Sequence, residues 1–123
     1  MSFPVLSRIA ASMVCILIAL ASPAALAHAI VVEATPEVGA TLHGSAVDVR
    51  LRFNSRIDHR RSRLALIDAL GHETVIPIMP NTPTDVVAGH VEASPGKYRL
   101  RWQVLALDGH ITRGDIPFEL ASP

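Results

Sequence analysis

The stretch Tyr98-Arg99-Leu100-Arg101-Trp102-Gln103-Val104-Leu105-Ala106 decides the fold. Tyr98, Leu100, Trp102, Val104 and Ala106 alternate with Arg99, Arg101 and Gln103, which is the period of two expected of a strand with one face in a core and the other in water. The lone tryptophan therefore belongs inside. Working outward, Val47, Val49, Leu51 and Phe53 alternate with Asp48, Arg50 and Arg52 in the same way. Shorter strands are expected at Ala29 to Ala34, Ser62 to Asp68, Thr74 to Ile78, Asp85 to Val91 and Gly114 to Leu120. Turn formers separate them: Thr35-Pro36-Glu37-Val38-Gly39, Ala69-Leu70-Gly71-His72, Pro80-Asn81-Thr82-Pro83 and Ser94-Pro95-Gly96. About seven short antiparallel strands at this spacing predict an all-β fold, a small Ig-like Greek-key β-sandwich or barrel.

Residues 1–27 read differently. Arg8 precedes an apolar run from Ile9 to Ala21, and Ala25-Leu26-Ala27 puts small side chains where a signal peptidase reads. A run of about 13 residues is short of the roughly 20 that cross a bilayer. We therefore expect a signal peptide over 1–27, export, and a mature domain over 28–123 that starts with His28-Ala29-Ile30 and is not membrane-embedded after cleavage. Of the 123 residues, 96 then remain, enough for one domain with one modest core. Ten basic residues face 11 acidic ones once Arg8 is gone, a balance that offers no electrostatic reason to expect nucleic acid as a partner. Cys15, the only cysteine, leaves with the signal peptide, so a metal would have to be held by nitrogen and oxygen.

Such donors are present. Asp108-Gly109-His110 follows the long strand, where a turn at Gly109 brings a carboxylate and an imidazole to the sheet's end. By itself this is an ordinary turn sequence. An N-terminal His28, however, offers its α-amine and its own Nδ1 as one chelate, and the amine, with an ordinary pKa near 8, is partly available at neutral pH. His28 with Asp108 and His110 makes a set of three nitrogens and one oxygen. Nitrogen-rich sets without sulfur favour Cu(II).

The mature start His28-Ala29-Ile30, the segment Ala34-Thr35-Pro36-Glu37-Val38-Gly39-Ala40, the strand Val49-Arg50-Leu51-Arg52-Phe53, Gly96 to Trp102, Leu107 to Gly114 and a last strand containing Phe118 stand in an order and spacing that resembles the CopC-type periplasmic copper-binding family, copper resistance protein C. The resemblance implies a Greek-key β fold, a periplasmic location and Cu(II) bound through His28, Asp108 and His110. It further implies a monomeric, non-catalytic copper carrier or buffer in copper homeostasis and resistance, working beside an inner-membrane copper importer. Two departures narrow this. A methionine-rich loop for Cu(I) is reduced to Met79, near His72, and Asn54-Ser55-Arg56 stands where some relatives carry a glutamate. The remaining histidines, His43, His59, His72 and His90, are expected to be simply exposed, and Arg56 to Arg63 to form a solvated loop. Two other classes compete: a copper-dependent monooxygenase-like enzyme, which needs an open copper position and a sugar-stacking surface, and a metal-free interaction module.

Overall fold

A computed structural model describes residues 29–123. The expected signal peptide and the ligand His28 lie outside the described residues. Among those described there is no helix, and so none long and apolar enough to cross a membrane. The chain folds as eight strands: β1 (Val31–Thr35), β2 (Thr41–His43), β3 (Ala46–Phe53), β4 (Ile57–Asp68), β5 (Glu73–Ile76), β6 (Val86–Glu92), β7 (Gly96–Ala106) and β8 (Ile111–Ala121). They form a sandwich of two sheets, one ordered β1-β3-β6 and the other β2-β8-β7-β4-β5. The chain changes sheet between β1 and β2, β2 and β3, β3 and β4, β5 and β6, and β6 and β7.

The alternation read from the sequence places the core. Val47, Val49, Leu51 and Phe53 point from β3 toward Leu100, Trp102 and Val104 of β7, Leu64 and Leu66 of β4, and Ile116, Phe118 and Leu120 of β8. All are buried. Phe53 meets Trp102 edge to face, with ring centroids 5.3 Å apart and planes at 69°. That geometry sets the positive rim of one ring against the negative face of the other. Tyr98 is half-buried and stacks on Phe118, so both expected inward rings are inward. The Trp102 ring has room because its cross-strand partner is Gly114: a Cβ there would come within 2.5 Å of Trp102 Cζ2.

Three local expectations are corrected. An eighth strand, β2, runs parallel to β8 through Thr41↔Glu119, Leu42↔Leu120 and His43↔Ala121, where seven antiparallel strands were expected; His43, at its end, is exposed as expected. The Arg56 to Arg63 segment is not a free loop, because Ile57–Asp68 is one strand whose pairing with β7 slips between Asp58 and Arg63. Ser62 fills that bulge: its Oγ donates to the Asp58 carbonyl at 2.7 Å and accepts from the Leu105 amide at 3.2 Å. Between Asp58↔Leu105 and Arg63↔Gln103 the strand accommodates three extra residues without leaving the sheet. His59 is also not simply exposed, since its Nε2 reaches the Val86 carbonyl and the Thr82 hydroxyl.

Candidate metal centre

β7 ends at Ala106 and β8 starts at Ile111, so Leu107 to His110 form a tight hairpin connection. The Gly109 amide donates to the Ala106 carbonyl and the Ala106 amide to the His110 carbonyl, both at 2.9 Å. Gly109 has φ +94°, a left-handed conformation that a Cβ disfavours, which explains a glycine between the two candidate ligands. Asp108 Oδ1 accepts the His110 backbone N–H at 3.1 Å and lies 3.2 Å from His110 Nδ1. Asp108 is thus fixed by the backbone of the residue it would ligate beside.

The His110 backbone N–H holds the Asp108 carboxyl below the ordinary carboxylate range; burial opposes it less strongly, and the His110 ring adds a smaller lowering. A group whose folded pKa is depressed contributes stability above its unfolded pKa and loses it as pH falls through the folded value. The contribution is small because the side chain is exposed. Thermal melts of the metal-free protein should therefore show a small wild-type advantage over Asp108→Asn at pH 6 that shrinks as pH falls through and below the ordinary carboxylate range. A difference that stays constant across that range would show that the carboxylate is not held in this way. The carboxylate thus stays ionised well into acid.

An imidazole nitrogen and a carboxylate oxygen bind first-row divalent ions at about 2.0–2.1 Å, as they do Zn²⁺. Neighbouring corners of a square of such bonds lie about 2.8–3.0 Å apart, by the geometry of that square. The observed 3.2 Å is close to this, so Asp108 and His110 fit two adjacent positions of one metal. Among the described residues no group of three or more His, Cys, Asp or Glu side chains could hold a metal ion. A metal held by this pair would need further donors from elsewhere.

Among the described residues there are two more Asp–His pairs, neither of them among the sequence-predicted ligands. Asp48 and His90 face each other across β3 and β6, with Oδ1 2.6 Å from Nδ1. Asp68 and His72 meet at 3.3 Å in the β4–β5 turn, where Asp68 also accepts the Leu70 and His72 amides. An aspartate four residues before a histidine across a turn was a legible signal for the second pair. For the first there was none, because the two residues are 42 positions apart and only strand register joins them. Met79 does not sit in the His72 turn but beyond β5, its amide donating to the Ala88 carbonyl.

Position distinguishes the three pairs. Val31 pairs with Phe53, the Asn54 amide donates to the Ile30 carbonyl at 3.0 Å, and the Leu107 amide donates to the Arg56 carbonyl at 3.0 Å. The segment from Asn54 to Arg56 thus links Ala29 and Ile30, where the described chain starts, to the Asp108–His110 hairpin. Asp48 lies five residues back along β3 from Phe53, about 17 Å at strand rise. Asp68 pairs with Tyr98, eight residues along β7 from Ala106 and about 27 Å away. Only the Asp108–His110 pair shares an end of the sandwich with Ala29.

The family model described as the CopC domain matches residues 31–121. Among solved structures, CopC from Methylosinus trichosporium OB3b is similar with a TM-score of 0.69 and 23% identity, over 77% of this chain and 95% of that one. PcoC, a methionine-rich copper resistance protein from Escherichia coli, is similar with a TM-score of 0.59 and 16% identity, over 77% of this chain and 100% of that one. At these identities the likeness speaks for the fold. No curated protein matches.

Proposed function

The chain belongs to the CopC domain family, and from that premise we propose that it is an exported periplasmic carrier or buffer for Cu(II) in copper homeostasis and resistance, with its metal held by His28, Asp108 and His110. The observation that carries this reading is the 3.2 Å contact of Asp108 and His110 at the end of the sandwich where Ala29 lies. His28 precedes Ala29 in sequence. Cleavage after Ala27 would free its α-amine, and the amine with its imidazole would add two nitrogens to the pair. Three nitrogens and one carboxylate oxygen suit tetragonal Cu(II) in preference to Cu(I), which favours thiolate or thioether.

The role of each residue follows from its chemistry. Asp108 supplies charge that offsets the dication and stays ionised at any pH where nitrogen donors are free. His110 supplies a neutral imidazole from a turn whose backbone is already bonded. Holding and release, rather than catalysis, is the task such a set performs, with the protein monomeric and an inner-membrane copper importer as the partner the family reading suggests.

The direct test is Cu(II) titration of the mature protein followed by electron paramagnetic resonance. One equivalent in a tetragonal nitrogen-rich site is expected, lost in His110→Ala and retained in His72→Ala, because His72 belongs to a pair at the other end of the sandwich. Loss in His72→Ala with retention in His110→Ala would move the site to the β4–β5 turn and overturn this assignment.

A further inference from the structure

We propose that Asn54 is the positioning residue of this centre, a side-chain clamp that fixes the start of the mature chain opposite the Asp108–His110 hairpin. The inference rests on the function proposed above. Its observation is a reciprocal pair of bonds: the Ile30 amide donates to Asn54 Oδ1 at 2.8 Å, and the Asn54 amide donates to the Ile30 carbonyl at 3.0 Å. Both backbone groups of Ile30 are held by one residue.

Among the described residues, little else holds the chain there. The Ile30 side chain is 59% exposed and gives no anchor. Ala29 is buried at 1% exposure, but it brings only a methyl group. The pairing of β1 with β3 starts at Val31↔Phe53 and slips before Glu33, so the first strand is not yet a regular ladder at this point. Two residues along from Asn54, the Arg56 carbonyl accepts the Leu107 amide of the hairpin, and Ile57 pairs with Ala106. Three consecutive residues therefore couple the start of the chain to the turn that carries Asp108 and His110.

The identity of the side chain matters to this task. An amide oxygen accepts the Ile30 N–H without adding a negative charge to this end of the sandwich, and the side chain is short enough for its own backbone to bond the same residue. Residues that orient a metal's ligands commonly cost about 10–100-fold in metal affinity when removed. Asn54 acts through the backbone of Ile30 and not on the metal, so its loss should loosen the chelate without changing which atoms bind.

The test compares mature wild type, Asn54→Ala and Asn54→Asp, the last of which keeps an acceptor oxygen at the same reach. Asn54→Ala is expected to bind Cu(II) about tenfold more weakly, with an unchanged paramagnetic spectrum and faster hydrogen exchange at the Ile30 amide. Asn54→Asp is expected to restore slow exchange at that amide. Wild-type affinity in Asn54→Ala would overturn the clamp. So would a changed nitrogen or oxygen signature in that variant, since Asn54 would then be a ligand. A wild type that binds no Cu(II) would overturn the proposed function and the clamp's role with it, a result separable from the other two because it needs no variant.

Discussion

One alanine placed ahead of His28 in the mature protein is expected to weaken Cu(II) binding about a hundredfold, equivalent to about 2.7 kcal/mol. The extra residue turns the α-amine of His28 into an amide, which has no free lone pair for the metal at neutral pH. The five atoms that close a chelate ring with copper lose one end, and the His28 imidazole becomes a lone donor whose encounter with the bound metal is no longer guaranteed by its own backbone. Asp108 and His110 are untouched, because their contact is local to the turn. Residual binding through those two and one free imidazole should persist. Competition against a chelator of known affinity, followed by quenching of Trp102 fluorescence, gives the ratio. Equal affinity of the two forms would remove the amine from the ligand set and leave the N-terminal chelate without support.

The second large effect is on stability. Phe53→Ala is expected to lower stability by about 3–5 kcal/mol, the range for deleting a buried aromatic ring. Phe53 is only 1% exposed, closes one end of the apolar row on β3 and packs edge to face on Trp102. The surrounding strands belong to two sheets tied by their own hydrogen bonds, so they cannot collapse into the gap. A domain of this size has about 5–15 kcal/mol in all. The expected fall in Tm is then about 15–30 °C, read by circular dichroism. A fall of less than about 5 °C would show that the ring is not part of the cooperative core.

What the sequence disclosed about the fold was the long, regular part. In Tyr98 to Ala106 and Val47 to Phe53 every second side chain is apolar, because one sheet face is covered by the other sheet and the opposite face is wet. Thr41-Leu42-His43 could not be read in this way: three residues hold no period, and the strand exists because the last strand offers it a free edge. The charges between Arg56 and Arg63 misled for a related reason. Their side chains point to solvent around a bulge, so the polar run marks a departure from alternation inside a strand rather than the absence of one.

The candidate centre divides along the same line. Asp108 and His110 were visible since two residues flanking a glycine can meet within a single turn. The aspartate partners of His72 and His90 do not stand out in the sequence: Ala69-Leu70-Gly71-His72 reads as a break between strands, and Asp48 meets His90 only through register between distant strands. Asn54 stood out only as part of Asn54-Ser55-Arg56, the segment where some relatives carry a glutamate, and its bonds to Ile30 appear only once β1 is laid beside β3.

Both side chains of the Asp108–His110 pair keep more than two-fifths of their surface in water. For a metal held there, that exposure sets the route of departure. If copper is held there as proposed, an acceptor could place its own donors on the ion before these two have let go, and transfer would then pass through a shared complex with no bare ion released. The speed of hand-over then follows the acceptor's concentration and not the dissociation constant, and a carrier can hold copper tightly at equilibrium while surrendering it quickly to the right neighbour.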